Sequence, residues 1–153
     1  MAADVEVGGE GLQQLTELSR RLKATGQRDL KNELSRSIRA STKETRDEIK
    51  KSALNVLPAR GGLAKLVSKS SLRTSGDGLG RNPGVRIVAS NKHEIAAMNR
   101  GRLRHPIFGN RGKWRTQEVK TGWFSDPIEK DAPRVREAIE KAVKDIGSRI
   151  ERQ

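Results

Sequence analysis

Only four aromatic side chains occur in this 153-residue chain, two Phe and two Trp with no Tyr, and all of them fall between Phe108 and Phe124. Aromatic residues are the largest single contributors a core can draw on. A chain with so few must build most of its interior from Leu, Ile, Val and Ala on amphipathic elements. The few aromatics it has then mark a corner of the fold. Set among arginines, such rings also suit base stacking. Their scarcity argues for burial, and residue-type preferences assign Phe108, Trp114, Trp123 and Phe124 to the structural core, as pins at a strand-to-helix corner.

Charge is as localised as the aromatics. The chain carries a net +13, unevenly spread. Residues 1–59 hold 11 basic and 9 acidic side chains; residues 60–122 hold 14 and 3; residues 123–153 hold 7 of each. Nearly the whole excess therefore sits in the middle third. Such a block suits a nucleic acid, through counterion release, or an acidic protein surface, through charge complementarity; a basic solvated face is the plain alternative. At 153 residues the chain fits one domain, 1–153, with a modest core. Only 33% of it is hydrophobic, which suits a chain that finishes burying its surface in an assembly or, equally, a helical domain with floppy ends. With no Cys there is no disulfide and no thiolate chemistry. No apolar run reaches the ~18 residues of a membrane span, and the acidic N-terminus does not read as a signal peptide.

Taken in order, Asp4 to Val7 alternates as a short edge strand, and Gly8, Gly9 and Gly11 break it. Leu12, Leu15, Leu18 and Leu22 follow at helical spacing, with Gly26 as the stop. From Arg28 or Asp29 a longer helix is expected, with Leu30, Leu34, Ile38, Thr45, Ile49 and Ala53 on one stripe and a bend at Ser41-Thr42. Leu57-Pro58 ends it, because Pro disfavours helical geometry in the residue before it. About 27 residues make roughly 40 Å of helix, enough to reach a neighbouring subunit or to curve over the chain's own sheet. Leu63 to Ser70 reads as a short helix with Leu63, Leu66 and Val67 on one side. Ser68 to Ser75 is polar and weakly patterned, and Gly76 to Gly84 is a loop of turn formers, expected with residues 1–10 to be flexible.

Gly84 to Ser90 is the clearest strand, with Val85, Ile87 and Ala89 facing one way. Asn91-Lys92 makes a turn, and His93 to Met98 reads either as a return strand or as one helical turn. Asn99 to His105 is expected to run extended, which puts Arg100, Arg102 and Arg104 on one face. Pro106 to Gly109 ends that strand as an apolar plug, Asn110 to Lys113 is a basic loop, and Trp114 to Lys120 is extended. Gly122 turns the chain, and Ser125-Asp126-Pro127 opens a helix with Asp126 as its cap. Asp131-Ala132-Pro133 is a second start signal. Val135, Ile139, Val143, Ile146 and Ile150 then form one apolar stripe. The fold class expected is α+β: N-terminal helices, one of them long, a small antiparallel sheet in the middle, and a C-terminal amphipathic helix packed on it.

Catalytic chemistry has little to work with. The two histidines, His93 and His105, come without HExxH, carboxylate clusters at metal spacing or a Ser/His/Asp arrangement. His105 beside Pro106 is better read as satisfying a backbone group than as a base. Gly109-Asn110-Arg111-Gly112-Lys113 lacks the spacing and the following Ser or Thr of a phosphate loop, and the Gly76, Gly78, Gly80 run is not followed by a helix. Neither catalytic, cofactor nor metal residues are assigned.

One stretch carries a resemblance. Met98-Asn99-Arg100-Gly101-Arg102-Leu103-Arg104-His105-Pro106-Ile107-Phe108-Gly109, then Trp114, Gln117, Val119 and Gly122-Trp123-Phe124, resembles the tail-completion (minor tail, neck) family of long-tailed phages. The match is specific over Met98 to Phe124 and looser elsewhere, including Leu57 to Ala64; where relatives often have Pro before Gly-Trp-Phe, this chain has Thr121. The resemblance implies a non-enzymatic virion protein at the head–tail junction, assembled in the host cytoplasm. It implies a homo-oligomeric ring, commonly sixfold, that completes the tail beside connector or stopper and tail-terminator proteins, with non-specific contact to packaged DNA. Arg100, Arg102, Arg104, Arg111 and Lys113 are the residues expected to meet a partner or DNA. The alternative is a stand-alone basic nucleic-acid-binding protein.

Overall fold

The computed structural model describes residues 4–7, 11–24, 27–77, 84–89 and 94–152. Its elements run β1 (Asp4–Val7), α1 (Gly11–Ala24), α2 (Arg28–Ser41), α3 (Lys43–Val56), a 3-10 turn (Arg60–Gly62), α4 (Leu63–Ser68), β2 (Leu72–Asp77), β3 (Gly84–Ala89), α5 (Ile95–Asn99), β4 (Arg102–Ile107), β5 (Asn110–Glu118) and α6 (Ser125–Glu151). The fold is α+β. Among the described residues the strands divide between two antiparallel sheets rather than one: a three-stranded sheet ordered β1-β3-β2 and a separate hairpin of β4 and β5. Asn91, Lys92 and His93, the tips of the Gly76–Gly84 loop and the first helix's expected stop at Gly26 lie outside the described residues. Within the N-terminal segment, residues 4–7 pair as an edge strand with β3.

β3 is the centre of the larger sheet, and its alternation works as read: Val85, Ile87 and Ala89 are all buried. β2 is not announced by its sequence. Its residues, Leu72-Arg73-Thr74-Ser75-Gly76-Asp77, carry little apolar alternation, and it is a strand because it pairs residue by residue with β3, Leu72 against Ala89 through Asp77 against Gly84. In α4, Ala64 and Val67 face inward, whereas Leu66 is exposed. Of the stretch His93 to Met98, the described part takes the helical alternative, as α5 from Ile95.

The long N-terminal helical run extends from Arg28 to Val56 with a single break at Thr42, where φ is −96° and ψ is 1°. The cause is local hydrogen bonding. Ser41 Oγ donates to the Ile38 carbonyl at 2.8 Å. Thr42 Oγ1 lies 3.2 Å from the carbonyls of Ile38 and Arg39 and 2.6 Å from Thr74 Oγ1 on β2. Hydroxyls that bond back to the preceding turn bend helices, and here one is also held by a neighbouring strand. The run ends as expected, with Leu57 extended before Pro58.

α6 threads two apolar clusters. Its first turns join Trp123, Phe124 and Ile128 to Ile49, Ala53, Leu57, Ala64, Val67, Ile87, Ile95 and Met98. Its later turns place Val135, Ile139, Val143 and Ile146 against Leu18, Leu22, Leu34, Ile38 and Val85. Between the clusters lies a polar seam. Thr45 Oγ1 and Arg134 (Nε and Nη2, each at 2.7 Å) donate to the Asp131 carboxylate, and Arg134 Nη2 reaches the Ser41 carbonyl at 3.1 Å. The hydrogen bond from Arg134 holds the Asp131 carboxyl below its usual range; partial burial opposes this and the Thr45 hydroxyl assists.

The start of α6 corrects the reading of Asp126. The cap position is Phe124, which offers no side-chain oxygen. Asn99, at the end of α5, does the capping from a distance: its Oδ1 accepts from the N–H of Phe124 at 2.9 Å and of Ser125 at 3.2 Å, and its Nδ2 donates to Ser125 Oγ at 3.3 Å. Those are amides a helix start otherwise leaves unpaired. Asp126 sits in the first turn, where a negative charge suits the helix dipole. Nor does a second helix start at Pro133; α6 runs through it. Pro133 is exposed, so the carbonyl it leaves without a donor can be hydrated, and Asp131 is already bonded to Arg134 and Thr45.

Candidate functional site

The stretch with the most basic charge and the most aromatic residues divides at Gly101. Arg100 caps α5, and Gly101 takes φ +90°. A side chain there would press the Val119 carbonyl at 3.1 Å and Thr121 at 2.9 Å, so only glycine fits the crossing. The Gly101 N–H donates to the Met98 carbonyl at 3.0 Å, and its own carbonyl accepts from the Val119 N–H at 3.0 Å. Those two bonds close the root of a hairpin arm formed by β4 and β5. Arg102 pairs with Glu118, Leu103 with Gln117, Arg104 with Thr116, His105 with Arg115 and Pro106 with Trp114.

The turn is Phe108-Gly109, both at positive φ (49° and 75°). A two-residue hairpin turn with both central residues at positive φ matches the twist of the strands, and it favours Asn-Gly. Phe in that conformation carries a steric cost of about 1 kcal/mol. Just below the turn the register jumps: Ile107 faces Asn110 while Pro106 faces Trp114, so Arg111, Gly112 and Lys113 bulge from β5. Pro106 has no N–H for the ladder, and such residues sit at edges and bulges. The bulge is fastened by the Trp114 indole N–H donating to the Arg111 carbonyl at 2.8 Å and the Gly112 N–H donating to Asn110 Oδ1 at 2.9 Å.

Two of the four aromatic residues assigned to the core are not in it. Phe108 is 103% exposed at the tip, and Trp114 is 46% exposed on the arm. Type preference failed for both because, among the described residues, no apolar element covers the tip or β5, every residue of which is exposed. Trp123 and Phe124, at 3% and 0%, are core, with rings edge to face at 5.7 Å. Nor is there an Arg100, Arg102, Arg104 face on one strand, since Arg100 belongs to the turn after α5. Arg102 and Arg104 do share a face of β4, and the Arg104 guanidinium lies 5.0 Å from the centre of the Trp114 ring on the same face. Such a cation–π contact is worth ~0.5–1 kcal/mol at an exposed site. Arg111 and Lys113 lie in strand β5, not in a loop. Arg115, not singled out from the sequence, stands on the opposite face beside His105.

At the foot, Arg100, Arg102 and Ala97 line an open hollow of about 490 Å3. Among the described residues, Arg100, Arg102, Arg104, Arg111, Lys113 and Arg115 have no carboxylate within ion-pair distance. The His105 ring nitrogen Nδ1 lies 3.3 Å from the Pro106 carbonyl, a backbone contact. Among the described residues no cluster of three His, Asp or Glu side chains is arranged to hold a metal ion, and no helix is long and apolar enough to cross a membrane.

No family model, curated protein or solved structure matches this chain.

Proposed function

We propose that this chain is a structural protein of a phage head–tail junction, a tail-completion component that works as a ring and docks through its basic arm. The observation that supports this most is the arm: a hairpin with one strand wholly exposed and cations unpaired. A two-stranded hairpin alone is marginal in water, so an arm of this kind gains its order from a partner. The stretch resembling tail-completion proteins spans the same unit, from Asn99, which caps α6, through the arm to the Trp123-Phe124 pins. Its residues do structural and docking work, and none forms a reacting constellation. In this reading the ring is a hexamer, the neighbours are connector or stopper and tail-terminator proteins, and the location is the virion neck.

Sedimentation and electron microscopy of the purified chain, alone and with neck partners, test this directly. Rings of defined stoichiometry are expected; a chain that stays monomeric with every neck partner contradicts it. The unpaired arm cations favour a second reading, a stand-alone nucleic-acid-binding protein, which predicts a small species that holds DNA at moderate salt.

A further inference from the structure

We propose that the β4–β5 arm is a groove-binding element for duplex DNA, with its strands between the phosphate walls and Phe108 as a wedge at the bases. This deepens the docking role given to the arm above and does not depend on ring assembly.

Three observations carry it. First, the arm is cationic on both faces: Arg102 and Arg104 project from one beside a single acid, Glu118, and Arg115 from the other, with Arg111 and Lys113 in the bulge between them and the tip. A flat partner meets one face of a ribbon, whereas a groove meets both. β-ribbon readers place their strands in the major or the minor groove. Second, Phe108 occupies a turn position where Asn would sit without strain, and it touches nothing that would bury it. The fold gains nothing from an aromatic ring there. Proteins that bend DNA from the minor groove insert apolar side chains, Phe among them, between base steps and unstack them. Third, neither of the other two thirds of the chain carries a net negative charge to attract the arm. Residues 1–59 carry a net +2 and residues 123–153 a net of zero. Glu33, Glu44, Glu48 and Asp131 are already paired with cations of their own fold. A second copy is therefore a poor electrostatic match for the arm, and a polyphosphate is a good one.

The test is a titration of the full chain with a 24-base-pair duplex of mixed sequence, repeated across a salt series. Contacts to four or five phosphates predict a slope of log K against log salt of about −4. The double variants Arg102→Ala/Arg104→Ala and Lys113→Ala/Arg115→Ala should each reduce that slope by about 2 while melting as the parent does; the second lies wholly on exposed β5, so folding does not confound it. Phe108→Asn should leave the slope unchanged and abolish the fluorescence rise of a 2-aminopurine duplex that reports unstacking. An unaltered slope in both double variants overturns the proposal, as does tighter binding to the single strand or equal binding to polyglutamate at the same salt. A chain that stays monomeric with every neck partner yet binds duplex with these signatures would refute the ring and leave the arm assignment standing.

Discussion

The helical body and the arm handle the same residue types in opposite ways. In the body, several cations find carboxylates: Arg149 Nη1 donates to Glu33 Oε2 at 2.9 Å, and Arg134 bridges Asp131, Glu44 and the Ser41 carbonyl. Its aromatic residues, Trp123 and Phe124, are sealed beneath α3, α5 and α6. On the arm, the cations form no ion pair among the described residues, although Glu118 lies across from Arg102, and Phe108 and Trp114 face solvent. Stability is therefore expected to reside in the body, and the binding proposed for this chain is assigned to the arm. The two should respond to mutation independently.

The largest effect belongs to the body. Trp123→Ala or Phe124→Ala should cost about 3–5 kcal/mol in urea unfolding, because each removes a filled position at the junction of α6 with α3 and α5. Trp123→Phe should cost much less, since the buried indole N–H of Trp123 makes no hydrogen bond. Asn99→Ala should follow, at about 1–2 kcal/mol, the range for losing a helix cap; equal unfolding midpoints for wild type and variant would show that Asn99 does not cap α6. The pH dependence of the seam comes next. Arg134 keeps the Asp131 carboxyl below its ordinary value of about 3.9. The contribution of Asp131 is then fully present above that value and lost as pH falls through the lower folded one. Asp131→Asn should flatten the acid limb of a stability–pH curve, and a limb of unchanged steepness would show that other carboxylates govern it. The smallest effect is on the arm. Phe108→Asn should raise stability by about 1 kcal/mol or less by relieving the turn, which differential scanning calorimetry can resolve as a higher midpoint.

Much of the body is legible because its periodicity is carried by the residues themselves. The α6 stripe, the Val85-Ile87-Ala89 face and the stop at Leu57-Pro58 each follow from local pattern. The misses share a cause, in that each is decided by something distant or absent. Leu72–Asp77 is a strand only because β3 lies beside it. Asn99 caps a helix that starts 26 residues later, so no local cap motif announces it. Asp126 and Asp131 resemble caps because capping residues usually act next to the turn they cap. Phe108 and Trp114 resemble core because burial preference presumes a cover, and no described element supplies one for β5. The sequence does hold a signal for the arm: an alternating Arg-x-Arg strand leads through Pro106 to a two-residue turn ending in Gly109, with no apolar stripe on the returning strand.

The separation of stability from binding can be tested in one comparison, urea unfolding of the intact chain and of a variant with residues 104–116 replaced by Asn-Gly. That change removes the tip, the bulge and most arm cations while keeping Leu103 and the Gly101–Val119 root bond. If the body alone carries stability, the shortened chain unfolds in a cooperative transition within about 1 kcal/mol of the intact one, the size of the exposed Arg104–Trp114 contact that is lost. A loss as large as that expected for Trp123→Ala would show that the arm is part of what holds the body together.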